Sequence, residues 1–312
     1  MTALVIGARG FLGTALCREL VRQGVPLKGT IFRGHSNLTD GPFPIHRVDL
    51  AKTSHKVFCR LLEDVDTVYH LAWSSIPQTA TADPLSDLRN NVVGLVKLLE
   101  AVRKRPDIRL VFASSGGAVY GPARYLPIDE EHPTSPVSAY GASKLAAENY
   151  LAFYAAQYEV NSVSLRISNA YGTGQNIAKG LGAVTAFTYA AIEGRPITIY
   201  GDGSILRDYV WVDDVVRALI AAGARRDVAG PINVGSGVGS TLVSIIDELE
   251  RHLRVRPNVI MREARRFDVP ASQLDIRRAA DGLGWKPEVD LRSGIDFLCG
   301  YFQSLLPLRA AQ

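Results

Sequence analysis

The residues whose chemistry is most readily named lie in Tyr140-Gly141-Ala142-Ser143-Lys144. The tyrosine and the lysine are one helical turn apart, so in a helix they share a face. A free phenol ionises near pH ~10, too high for a base at neutral pH. An ammonium beside it, together with the positive ring of an oxidised nicotinamide, favours the phenolate and lowers that value. Such a tyrosine can move a proton to or from a sugar hydroxyl while hydride moves to or from the nicotinamide. Taken alone, the pair reads more readily as a surface Tyr and Lys on an amphipathic helix. Upstream, Ser114 and Ser115 end the apolar run Leu110-Val111-Phe112-Ala113, where a serine hydroxyl can bond the same substrate oxygen.

A second constellation opens the chain. In Gly7-Ala8-Arg9-Gly10-Phe11-Leu12-Gly13 the glycines fall where the apolar run Leu4-Val5-Ile6 gives way to a helical pattern. Gly7 permits a tight turn, Gly10 lets backbone approach a pyrophosphate, and Gly13 lets helix and strand pack closely. The N–H groups and positive dipole end of the helix then face the phosphates. The spacing is Gly-x-x-Gly-x-x-Gly, and a plain strand-to-helix turn is the alternative. Asp49-Leu50 follows the third apolar run; Asp49 is either a helix N-cap or an adenine contact at the strand end. At the end of the second run, Thr30-Ile31-Phe32-Arg33 carries no acid to bind the ribose hydroxyls of NAD. Arg33 is either a solvated charge or a partner for a 2′-phosphate, which leans the choice between NAD and NADP toward NADP.

The elements that must position these residues are legible as a pattern. Apolar runs at Leu4–Ile6, Val25–Phe32, Ile45–Val48, Thr67–Ala72, Leu110–Ala113 and Ser162–Ile167 alternate with helical stretches at Phe11–Val21, near 88–104 and at Ala139–Tyr158. Continuous apolar strands alternating with helices indicate a parallel sheet covered on both faces. The expected fold is α/β, a doubly wound parallel sheet (Rossmann) of about seven strands, with a smaller C-terminal substrate-binding domain. The dinucleotide-binding part takes residues 1–168 with a later return near 207–234. The second part takes 169–206 and 235–312, with no linker between them.

The 312 residues are 47% hydrophobic and 21% charged, which excludes bulk disorder. A net charge of +4 without a basic block gives no support for nucleic-acid binding. No apolar run is long enough to span a membrane, and the first residues lack the basic region of a signal peptide, so a cytoplasmic protein is expected. Cys17, Cys59 and Cys299 are too few and too scattered for a disulfide framework, and the histidines show no metal spacing. No Gly-x-Ser-x-Gly elbow supports a hydrolase. The glycine cluster Gly235-Ser236-Gly237-Val238-Gly239 lacks a βαβ context and reads as a loop. Trp73 lines either the ligand pocket or the core.

End to end, the chain resembles the extended short-chain dehydrogenase/reductase family, and within it the NAD-dependent epimerase/dehydratase group acting on nucleotide sugars. That resemblance implies Ser115, Tyr140 and Lys144 as the catalytic set, with Lys144 also binding the nicotinamide ribose. It implies that Asn91, in Asn90-Asn91-Val92-Val93-Gly94, props the lysine through water. It implies too that Leu71 and Ala72 pass along the cofactor. Asn169 and Arg207 are matched to contacts with the substrate diphosphate, and Arg265 and Asp268 to phosphate and ribose or base. Arginine suits the two negative charges of a diphosphate; Asn169 as a turn residue and Arg207 as an ion-pair partner of Asp208 or Asp213 are the alternatives. Aligned from the strand, the catalytic hydroxyl is Ser115; aligned back from Val119-Tyr120-Gly121 it falls on Gly116, with Ser114 the fallback. The acid that dehydratases place beside this hydroxyl is absent. The resemblance therefore implies an epimerase inverting carbon 4 of a UDP-hexose through a transient 4-keto sugar, acting in polysaccharide biosynthesis. An NADPH-dependent 4-keto-sugar reductase is the alternative, and a non-catalytic dinucleotide-binding protein a remote third. It also implies a homodimer through a four-helix bundle made by the helices near 88–104 and 139–157.

Overall fold

The computed structural model describes residues 1–32, 42–177, 182–263 and 269–310. In chain order the strands are β1 (Ala3–Ile6), β2 (Leu27–Ile31), β3 (Ile45–Arg47), β4 (Thr67–His70), β5 (Arg109–Ser115), β6 (Asn161–Ile167), β7 (Asn169–Tyr171), β8 (Ile197–Tyr200), β9 (Leu206–Trp211), β10 (Gly230–Val234), β11 (Gly239–Thr241), β12 (Val259–Arg262) and β13 (Ala271–Ser272). The helices are α1 (Phe11–Arg22), α2 (His55–Leu61), α3 (Pro77–Ala82), α4 (Pro84–Asp87), α5 (Gly94–Val102), α6 (Ala139–Tyr158), α7 (Ala183–Ile192), α8 (Val212–Ala224), α9 (Leu242–Leu253), α10 (Arg277–Leu283) and α11 (Leu291–Ala310).

Seven strands form one sheet in the order β10-β6-β5-β4-β1-β2-β3, all parallel. From β1 the strands are added first outward to β2 and β3 and then on the other side from β4, and the crevice at that switch in strand order is where such sheets bind ligands. Every residue of β1 is buried, as a strand covered on both faces requires. One hydrophobic cluster joins the α1 and α8 side of the sheet to the smaller sheet. The other lies under α2, α5 and α6. The smaller sheet gathers β7, β11 and β13 around β9, and β8 pairs with β12. Within the return expected near 207–234, β9 joins this smaller sheet, whereas β10 closes the large one.

The helical stretch expected near 88–104 is not continuous. A single turn, α4, leads into a π-helical turn at Leu88–Val93, and only then does α5 run on. Side-chain bonds account for the break. Asn91 accepts from the Ser74 backbone N–H at 2.8 Å and donates to Asp87 at 2.8 Å, so this turn is fastened to the chain leaving β4. Helix α6 starts where Ser138 caps it, its hydroxyl accepting from the Gly141 N–H at 3.1 Å.

Candidate active site

Two glycines close the first turn against its neighbours. Gly7 has φ +93°, in the region that favours glycine, and a Cβ there would stand 2.8 Å from the Ala72 nitrogen. A Cβ on Gly13 would run into the Gly7 carbonyl oxygen. No side chain caps the start of α1, whose N-cap is Gly10. Beside it opens a cleft of about 380 Å³, lined by Gly7, Arg9, Gly10, Asp49, Leu50, Leu71, Ala72 and Asn91 of the expected set, together with Thr30, Phe32 and Trp73. Phe11 and Leu12 are half-buried and pack against the core. An extended dinucleotide fits these donors: a glycine turn without side chains, an uncapped helix start, and a cleft running from β2 to the exit of β4. Asp49 lines the cleft and its carboxylate accepts from the Lys52 N–H at 3.3 Å across a turn; it is not a helix N-cap, because α2 begins later, after Ser54. Arg33 lies outside the described residues.

Strand alternation separates the two serines. Ser114 is buried and bonds Glu148, which also holds the Arg166 guanidinium at 2.7 Å; Arg166 donates in turn to the Tyr120 hydroxyl at 2.9 Å. Ser115 falls on the opposite face of the strand, where its hydroxyl acts on the Tyr140 phenol and favours its ionised form. A side chain at position 116 would run into Leu274 and the Arg166 carbonyl, which is why that position is glycine.

Burial pushes the Tyr140 phenol up to about 12, against the pull of the Ser115 hydrogen bond and with a further push from Asp87. The acidifying effect of Lys144 expected from its spacing is therefore not expressed in the protein alone. The reason is geometric: the Lys144 ammonium donates to the Ala113 carbonyl at 2.6 Å and lies 5.8 Å from the Tyr140 ring centre. Burial also pulls Lys144 down to about 7, partly offset by the carboxylates of Glu148 and Asp87. His70, beneath it on β4, is held neutral by burial and by Lys144, down to about 3. The Asn91 amide bonds Ser74, Ser75 and Asp87.

A second cavity of about 360 Å³ adjoins, lined by Pro77, Gln78, Thr81, Gly117, Ala118, Gly121, Val137, Ser138, Arg207 and Val269. Arg207 thus lines a wall of this cavity. Asp213 pairs with Arg18 instead, and the Asp208 carboxylate accepts from the N–H groups of Ser236, Gly237 and Leu274. Asn169 donates to the Asp208 carbonyl at 3.0 Å. Arg265 and Asp268 lie outside the described residues. Sequence reasoning missed Glu148 and Asp87. Glu148 shares the helix face of Lys144 at i+4, and Asp87 precedes Asn91 by the same step, so helical spacing was the available signal.

The family model described as the NAD dependent epimerase/dehydratase family matches residues 3–235. The UDP-glucose 4-epimerase of Mycolicibacterium smegmatis is 33% identical over 313 residues, 97% of this chain and 99% of that protein. The dTDP-4-dehydro-6-deoxyglucose reductase of Escherichia coli is 31% identical over 310 residues, covering 95% of each. Among solved structures, the UDP-glucose 4-epimerase of Thermus thermophilus in complex with NAD superposes with a TM-score of 0.89 at 31% identity, covering 98% of this chain and 100% of that one. With sequence and fold shared over nearly its whole length, the chain is an enzyme belonging to the NAD dependent epimerase/dehydratase family.

Proposed function

We propose that the chain is a nucleotide-sugar 4-epimerase that inverts carbon 4 of a UDP-hexose with NAD held in the cleft beside the glycine turn. The observation that carries this reading is the junction at β5 and α6. There Ser115, Tyr140 and Lys144 come together against Trp73, which lines the cleft beside the glycine turn, and a few residues along the chain from Gly117, Ala118 and Ser138 of the second cavity. When bound, nicotinamide supplies the hydride acceptor and donor. Gly7, Gly10 and the start of α1 hold its diphosphate, Asp49 and Leu50 flank the adenine, and Leu71 and Ala72 pass along it. Tyr140 takes the proton from the carbon-4 hydroxyl and returns it, and Ser115 orients that hydroxyl by sharing the hydrogen bond. Lys144 favours the phenolate and reaches the nicotinamide ribose. Arg207, Asn169, Arg265 and Asp268 hold the nucleotide diphosphate. The second cavity offers the sugar both walls without hydrogen-bonding side chains, at Gly117, Ala118, Val137 and Pro77, and polar side chains at Gln78, Thr81 and Ser138.

The test is to incubate the purified chain with UDP-galactose and no added cofactor, follow UDP-glucose, and identify the nucleotide released on denaturation. Interconversion with co-purified NAD and no net redox supports the reading; its absence from a folded, NAD-loaded protein sinks it. A second reading, an NADPH-dependent 4-keto-sugar reductase, is favoured by the end of β2. Thr30, Ile31 and Phe32 face the cleft there, and none of them is an acid that would repel a 2′-phosphate. Consumption of NADPH on a dTDP-4-keto sugar selects it.

A further inference from the structure

The aromatic surroundings of Lys144 are more elaborate than a proton-handling pair requires. The loop leaving β4 carries Trp73, whose ring centre lies 3.8 Å from the Lys144 ammonium. Phe112 on β5 stands 4.8 Å from the same nitrogen, and the indole meets Tyr140 edge to face at 6.2 Å. Trp73 also lines the inner end of the cofactor cleft, and its indole N–H is buried without a partner among the described residues. The indole therefore offers Lys144 its π face.

We propose that Trp73 is a positioning residue of the reaction, its ring face holding the Lys144 side chain in place and in its charged form beside Tyr140. A ring face attracts a cation and not a neutral amine, and the attraction grows when water is excluded. Lys144 needs that support, since among the described residues its ammonium has one hydrogen-bond acceptor, the Ala113 carbonyl, at 2.6 Å. The other groups that bear on it are Glu148 and Tyr140 on its own helix, Asp87 before the π turn, and His70 on β4, which is neutral. The two carboxylates favour the ammonium and burial opposes it, so Trp73 acts on a side chain already pulled down to about 7. This inference rests on the proton-handling assignment of Tyr140 and Lys144, but its test needs no turnover.

The full-length, ligand-free chain is prepared with lysine labelled with 13C at Cε, and the Lys144 resonance is assigned by its loss in Lys144→Arg. Its titration is followed in wild type, Trp73→Leu and Trp73→Phe. Leu keeps the site dry but removes the ring, and the midpoint is expected to fall by about one pH unit, a tenfold change in the protonation equilibrium. Phe, a weaker ring, is expected to move it less, in the same direction. An unchanged midpoint, or one that rises because the indole only kept water out, overturns the proposal. Should Trp73→Leu fail to fold, Trp73→Phe decides alone, and a midpoint that does not fall overturns it. Failure of the epimerase assay leaves this titration unaffected, so the two readings fail separately.

Discussion

Tyr140 occupies surroundings that oppose its ionisation: burial raises it, Asp87 raises it further, and only Ser115 pulls the other way. Replacement by phenylalanine removes the proton carrier but little volume. Tyr140→Phe is expected to lower turnover by about 10²- to 10⁴-fold while the circular dichroism stays native; near-normal turnover would remove the phenol from the reaction. Lys144 makes a stability statement as well. Its folded value, about 7, lies below the unfolded one. Between pH 7 and 9.5 the unfolded chain therefore binds more protons at this position, and its contribution to stability rises with pH. Lys144→Met should raise the melting temperature most at pH 7, with the advantage over wild type shrinking toward pH 9.5. A difference independent of pH would contradict the depressed value. Tyr, Lys and the glycines were legible in the sequence because their spacing is local. Glu148 and Asp87 were passed over although each stands four residues from Lys144 or Asn91, and Trp73, read as lining the ligand pocket or the core, takes its place over Lys144 only from the folding of the loop after β4.

Between elements, α6 is fastened to the sheet at two heights. Lys144 bonds the Ala113 carbonyl of β5, and one turn on Glu148 meets Ser114 of β5 and Arg166 of β6. The Glu148–Arg166 pair is buried, with exposures of 8% and 6% for the two side chains. Arg166→Met leaves a carboxylate unpaired in the interior, expected to cost about 3–5 kcal/mol in urea unfolding. A loss below about 1 kcal/mol would mean the pair is not a structural tie. Two strands along from β5, beside β1, Gly13→Ala places a methyl against the Gly7 carbonyl. It should destabilise by about 1–3 kcal/mol and weaken NAD binding, read by calorimetry on nucleotide-free protein. The strands of the large sheet were readable as short continuous apolar runs, and the long helices from their period of 3.6. The π turn was not, because Leu88, Val92, Leu95 and Leu99 keep a helical pattern through it. Side-chain bonds from Asn91 to the β4 exit, which carry no hydropathy signal, decide that geometry.

For the whole molecule, the parallel seven-stranded sheet expected from the sequence stands, while the position of the loop residues around the sugar cavity needed the folded chain. No helix among the described residues is long and apolar enough to cross a membrane. Leu85, Leu88, Val93, Tyr150 and Phe153 nevertheless leave apolar surface exposed on α4, the π turn and α6, with Leu85 at 63% and Phe153 at 48%. A homodimer contact of the kind expected from the family resemblance would cover this surface, as patches of this kind commonly mark interfaces. Wild type should run as a dimer in light scattering and Phe153→Glu as a monomer; a monomeric wild type would refute that contact.

The order of the sheet also has a consequence for how the protein is made. The outermost strand beside β6 is β10, delivered only after the chain has built β7, β8, β9 and α8 elsewhere. During synthesis, at about 5–20 residues per second, the nascent sheet therefore waits for seconds with the outer edge of β6 unpaired. An open edge of that kind is a template for pairing with other chains. A nascent polypeptide stalled before Gly230 is thus a natural client for chaperones, and a gene truncated there yields aggregate in place of a smaller working enzyme.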